Sequence, residues 1–213
     1  MSYFAVTFDQ PVHKAKARRY ARVLATVTVN EVKGMRYFST VLGKDTEGTP
    51  VLLYINDRID STDVNVVTGV TSALLAAVRA FDIKVERSLY ITAHMKTGSL
   101  KGCSLGVAVF MATCVCMKGC RVPEKWTFTG WVTSGLGEDV GPAIEAIDEA
   151  PTKARGALNG GEVLFLPLNN SKDLTPLGMR LHTVQTWQGE VPSIVLLKDI
   201  GDLKTIVSSN RVC

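Results

Sequence analysis

The sequence predicts an α+β domain, and three observations predict it. Near the start, residues 23–32 (VLATVTVNEV) alternate apolar and polar side chains as a half-buried strand does. Residues 68–81 (TGVTSALLAAVRAF) place apolar side chains at helical spacing. In the second half, short apolar runs such as EVLFLP and SIVLL are separated by helix-start and glycine stop signals.

The elements follow in order. Residues 51–55 repeat the strand alternation, and the helix at 68–81 carries Arg79 near its end, where a cation complements the negative end of the helix. Residues 88–94 (SLYITAH) return to strand composition. A polar, glycine-containing loop (MKTGSLKGCS) then ends at Ser104, where LGVAVFMATCVCM begins. That run is too long for a typical strand and is closed by Lys118 and Gly119, so a buried helix is expected with Ser104 at its N-terminus.

Residues 125–132 (KWTFTGWV) read as one strand and SGLGEDVGP as a loop. Pro151 suits the first turn of a helix that stops at Gly160-Gly161. Residues 162–167 form a short buried strand, and Asn169, Asn170 and Ser171 offer caps to a turn or short helix at Lys172-Asp173-Leu174. A strand and a closing helix are expected within 192–207.

A chain of 213 residues, 46% hydrophobic, can bury one sizeable core. One domain over 1–213 is expected, with residues 1–22 as a candidate N-terminal arm. The longest apolar run, residues 105–117, falls short of the roughly 18 residues of a membrane span, and no basic-then-apolar leader opens the sequence. No membrane association is expected, and the cytoplasm is the expected location. The net charge of +4 does not mark a nucleic-acid binder, although Lys14, Lys16, Arg18, Arg19 and Arg22 form a basic segment.

Five cysteines fit free thiols in a reducing compartment. Cys114, Cys116 and Cys120 sit in an apolar stretch, at a spacing unlike that of zinc sites, and read as core residues. No metal or cofactor is expected.

Ser104 lies in Gly102-Cys103-Ser104-Leu105-Gly106, a Gly-x-Ser-x-Gly spelling. A nucleophile elbow needs a strand running straight into the first glycine, and here the loop intervenes. A plain N-cap serine is the bland alternative. A Ser–His esterase would need His182 with Asp139 or Asp148 as its partners. A cysteine protease would use Cys103 with His94 or His13, but a chain neighbour of Ser104 is expected to point elsewhere.

The order KGCSLG, apolar helix, TFTG, Lys-bearing helix, FLPLNNSKDL resembles the proteolytic domain of Lon proteases over roughly residues 68–207. The resemblance implies a Lon-like fold and a Ser–Lys dyad. It puts Ser104 at the nucleophile and Lys153 at the general base. It puts Thr129-Gly130 at the Thr-Gly pair, with Thr129 orienting the amine, and Pro167, Asn170, Lys172, Asp173 and Leu174 in the closing motif. Backbone N–H groups of Ser104 and Leu105 would hold the oxyanion.

The chain departs from the family pattern at Lys101, where an acidic residue is usual, and at VGPAIEAIDEAPTK, where a Gly-Gly pair is usual. No Gly-x-x-x-x-Gly-Lys-[Ser/Thr] phosphate loop is present, so the expected activity is ATP-independent. Stand-alone Ser–Lys proteases of this fold occur in birnaviruses, released from a polyprotein by their own cutting, and the resemblance extends to them. It implies a protein or polyprotein substrate and a monomer or small homo-oligomer. A Lon-like fold that binds without cutting is the competing expectation.

Overall fold

The computed structural model describes residues 3–8, 18–20, 23–27, 37–44, 50–56, 64–83, 89–94, 102–118, 122–133 and 141–209. It is mixed in helix and strand content, in keeping with the α+β expectation. Strands β1 (Tyr3–Phe8), β2 (Arg18–Tyr20), β3 (Val23–Val27), β4 (Tyr37–Lys44), β5 (Pro50–Asn56) and β6 (Leu89–His94) form a six-stranded mixed sheet in the order β2-β3-β1-β6-β5-β4. Two of these strands, β1 and β2, fall within residues 1–22. Tyr3–Phe8 lies inside the sheet, parallel to β3 and antiparallel to β6, and Arg18–Tyr20 forms an edge.

β5 and β6 are parallel neighbours, which a tight hairpin cannot connect. Helix α1 (Val64–Ala80) makes the crossover. It starts before the expected residue 68, and one face, including Val66, Val70, Ala73, Leu74 and Ala77, is buried. Helix α2 (Gly106–Lys118) is buried without a break from Gly106 to Val115. That burial explains its lack of a polar face: a helix packed on all sides presents no stripe to water. Its neighbours are β1 and β3 of the six-stranded sheet, α1, and elements of the second half.

The second half builds a parallel four-stranded sheet, in the order β11-β12-β10-β7, from β7 (Trp126–Phe128), β10 (Val163–Pro167), β11 (Leu181–Thr183) and β12 (Ser193–Leu197). Both central strands are buried at every position, as their unbroken apolar runs require in a parallel sheet covered on two faces. Alternate residues divide between two cores. Leu164, Leu166, Ile194 and Leu196 join Ala150, Ala154 and Ala157 of α3 (Ala150–Asn159). Val163, Phe165, Val195 and Leu197 join α1, α2 and the closing helix α5 (Ile200–Ser209). The three alanines let α3 lie close on the sheet.

The single strand expected over residues 125–132 is two. It breaks at Thr129-Gly130, and β8 (Trp131–Val132) leaves to pair with β9 (Ile144–Glu145) in a separate antiparallel ribbon. The break is made by hydrogen bonds. Thr129 N–H still reaches the Phe165 carbonyl of β10 at 3.0 Å, whereas Gly130 N–H turns to the Ser104 carbonyl at 2.9 Å.

The short helix α4 (Ser171–Leu174) forms where a turn or short helix was expected, between single 3-10 turns. Its expected side-chain cap does not form; the Asn170 amide is engaged elsewhere. Cys114 is fully buried in α2, and burial in the same helix pushes the Cys116 thiol far above its ordinary range. Cys120, His13, Asp139 and Lys101 lie outside the described residues. Among the described residues, no helix is long and apolar enough to cross a membrane.

Candidate functional site

The two glycines around Ser104 have separate physical causes. Gly102 has φ +77°, a left-handed conformation that favours glycine, and it turns the chain into Cys103 and Ser104. Gly106, the first residue of α2, packs directly on β8. A Cβ there would stand 2.5 Å from Val132 N and 3.0 Å from Gly130 O. The close approach also excludes a side chain at Gly130, where a Cβ would meet Val107 Cγ2 at 2.6 Å.

These contacts stitch the start of α2 to the strand break. The Ser104 carbonyl accepts hydrogen bonds from Gly130 N–H at 2.9 Å and from the Thr129 hydroxyl at 3.2 Å, and Val107 N–H donates to the Gly130 carbonyl at 3.0 Å. Gly106 N–H donates to the Cys103 carbonyl at 3.3 Å. Among the described residues, the N–H groups of Ser104 and Leu105 are committed to no hydrogen bond. They are the pair from which an oxyanion hole can be built.

Ser104 and Lys153 line the same cleft, of about 410 Å³, together with Gly102, Cys103, Trp131 and the segment Ala146–Glu149. Lys153 lies in the first turn of α3, half-buried on the flank of the alanine stripe. Burial lowers its pKa from the ordinary value of 10.5, while Glu149, Asp148 and, least, Cys103 pull it back upward. The positive end of α3 acts in the same direction as burial.

The part of the cleft lined by Ile147 is held by one buried side chain. Asn170 Oδ1 accepts from Ile147 N–H at 3.0 Å, and Nδ2 donates to the Ile147 carbonyl at 2.8 Å and to Asp173 Oδ2 at 3.0 Å. A primary amide matches both backbone groups of one residue at once, which is why Asn170 clamps Ile147 instead of capping α4. This role was not readable from the sequence, because nothing local ties residue 170 to residue 147.

The structure separates the other candidates. His182 is buried on β11, the edge of the four-stranded sheet remote from β7, with Nε2 3.8 Å from Glu190 Oε2. It does not line the cleft, whereas Asp148, its partner in the esterase alternative, does. His94 belongs to β6. Cys103 does not point away as expected but lines the cleft beside Ser104. Trp131 and Glu149 enter the site unforeseen. The acidic pair Asp148-Glu149, one residue ahead of Pro151, was the available signal, since residues at a helix start sit within about one turn of Lys153.

No protein-family model matches the chain, and no curated protein matches it in sequence. What the cleft can do follows from its own groups. It holds a hydroxyl at the mouth of a helix, a lysine amine biased toward neutrality by burial, and two uncommitted backbone donors beside the hydroxyl.

Proposed function

We propose that the chain is an ATP-independent, Lon-like serine endopeptidase in which Ser104 is the nucleophile and Lys153 the general base. It would cut a protein or polyprotein substrate, its own precursor included, in the cytoplasm. The observation that carries this reading is the meeting of Ser104 and Lys153 in one cleft, with burial lowering the lysine pKa. An alcohol becomes a competent nucleophile only when a base takes its proton, and a lysine can do so only when neutral.

In the first half-reaction Ser104 Oγ attacks the scissile carbonyl as Lys153 Nζ takes its proton. The tetrahedral oxyanion is stabilised by the N–H groups of Ser104 and Leu105. The protonated amine then gives the proton to the leaving nitrogen, and the peptide bond breaks to leave an ester on Ser104. Water adds to that ester as Lys153 takes its proton, and collapse returns a proton to Ser104 Oγ. Thr129, whose hydroxyl hydrogen is directed to the Ser104 carbonyl, keeps oxygen lone pairs with which to accept from the amine and orient it.

Glu149 and Asp148 favour the ammonium and so speak for the second reading, a fold of this kind that binds without cutting. Assay of the wild type, Ser104→Ala and Lys153→Met on unfolded protein substrates separates the two. Cleavage by the wild type that drops by about 10³-fold or more in each variant is expected. Cleavage that persists in either variant removes the dyad, and an inert wild type leaves the binding reading.

A further inference from the structure

Glu149 is the residue of this cleft whose placement needs a separate account. It occupies the N-cap position of α3 in a left-handed conformation, φ 58° and ψ 26°, although it is not glycine and makes no side-chain capping bond. A long, unbranched side chain gains nothing local from that seat, since even Asn and Asp adopt it only with the help of short-range hydrogen bonds. Its carbonyl accepts from Lys153 N–H at 3.1 Å, which fixes the two residues one helical turn apart, and both line the cleft. Among the described residues, Lys153 has no ion-pair partner within 4.0 Å, so the carboxylate acts on the amine through space and not as a locked salt bridge.

We propose that Glu149 is a positioning residue for Lys153: seated in a left-handed conformation one helical turn before Lys153, it shares the cleft with the amine and fixes the charged surroundings in which that amine works. The proposal rests on the Ser104–Lys153 reading. The other groups bearing on the amine are Asp148, from the same turn, and Cys103, from the loop that enters α2. Of the three, Glu149 exerts the largest upward pull. Removing its charge therefore frees the amine to lose its proton at lower pH, and the acid limb of activity moves with it. A substrate residue that neutralises Glu149 on binding would do the same, so the carboxylate couples occupation of the cleft to readiness of the base.

The test reads the amine directly. Lys153 is titrated in the full chain by the pH dependence of its labelling with acetic anhydride, resolved by mass spectrometry, in the wild type, Glu149→Gln, Glu149→Asp, Glu149→Gly and Asp148→Asn. Glu149→Gln is expected to move the titration to lower pH, Asp148→Asn to move it less, and Glu149→Asp to leave it near that of the wild type. Glu149→Gly should match Glu149→Gln in titration while also raising the melting temperature, because glycine accepts the left-handed seat without strain. Turnover on the acid limb should rise roughly two- to fivefold in Glu149→Gln. An unmoved titration in both Glu149→Gln and Glu149→Gly overturns the role of Glu149, whatever the protease assay gives. A moved titration in a chain whose Ser104→Ala variant cuts as well as the wild type overturns the catalytic reading instead.

Discussion

The cleft assigns opposite demands to Lys153. Burial penalises its charge, and Glu149 and Asp148 restore part of it. The folded chain therefore binds fewer protons at this position than the unfolded chain between the lowered folded pKa and the ordinary value of 10.5. Below that window the penalty on the folded state is fully present. Stability rises with pH across it, and above 10.5 the group contributes no difference. Lys153→Met, which keeps the apolar stem and removes the amine, should thus melt above the wild type at neutral pH. The gap should narrow as the pH approaches 10.5, as followed by thermal melts over a pH series; a gap constant with pH would show the amine to be unperturbed.

At the same scale, Ser104 was legible in the sequence, because a serine at the start of an apolar run carries helix-start chemistry on its face. Lys153 had no local signal of its own, and only its register with Ser104, Thr129 and Pro167 singled it out. Asn170 was visible as a polar residue after a buried strand, but its local environment suggested a cap. Its bonds to Ile147 span 23 residues and exist only in the folded chain.

At the scale of elements, close approach decides more than propensity does. α2 can reach β8 only because Gly106 has no side chain, so Gly106→Ala drives a Cβ into the Val132 backbone and pushes the helix start, with Ser104, away from Thr129 and Gly130. A loss of about 2–4 kcal/mol in urea unfolding is expected, the range of overpacking against backbone that cannot yield. Gly156, inside α3, is the contrasting case: a Cβ there meets nothing within 4 Å. Gly156→Ala should stabilise the chain by about 0.5–1 kcal/mol through helix propensity alone. If both variants lose stability, the packing of α2 on β8 is not what distinguishes the two glycines.

Pattern more than length made the elements legible: β4, with eight residues the longest strand, and β1, with six, were not assigned from the sequence. α1, α2, α3, β5, β6, β10 and β12 all carry runs long or regular enough to announce themselves. β9 and β11, of two and three residues, carry no period to read. The division of residues 125–132 into β7 and β8 was hidden because the residue alternation continues through Thr129-Gly130, while the hydrogen-bond partners change there from β10 to the start of α2.

Across the whole molecule, α2 is the shared core. It packs on β1 and β3 of the six-stranded sheet and on β7, β8 and α5 of the second half, and its Phe110 and Met111 are fully buried. Its residues join those of both halves in one core. The two halves should therefore unfold together. Trp126, Trp131 and Trp187 all report on the second half, two of them through the cluster in which Trp126 and Phe165 lie 5.0 Å apart and Phe165 and Trp187 5.4 Å apart. Their fluorescence and the far-ultraviolet circular dichroism of the whole chain should give one coincident denaturation midpoint. Separate midpoints would show that α2 does not bind the halves into one cooperative unit.

By itself the sequence determined the local matters: which runs are apolar enough to be buried, where helices start and stop, and that a serine opens a helix whose whole surface must be covered. These depend on side-chain hydrophobicity and backbone preference, which act over a few residues. Only the tertiary structure decided that residues 1–22 contribute two strands, that the chain leaves β10 at Gly130, and that Lys153, Glu149, Cys103 and Trp131 share a cleft with Ser104. Those outcomes depend on close approach, burial and charge between residues far apart in the chain, and such terms exist only once the backbone has brought them together.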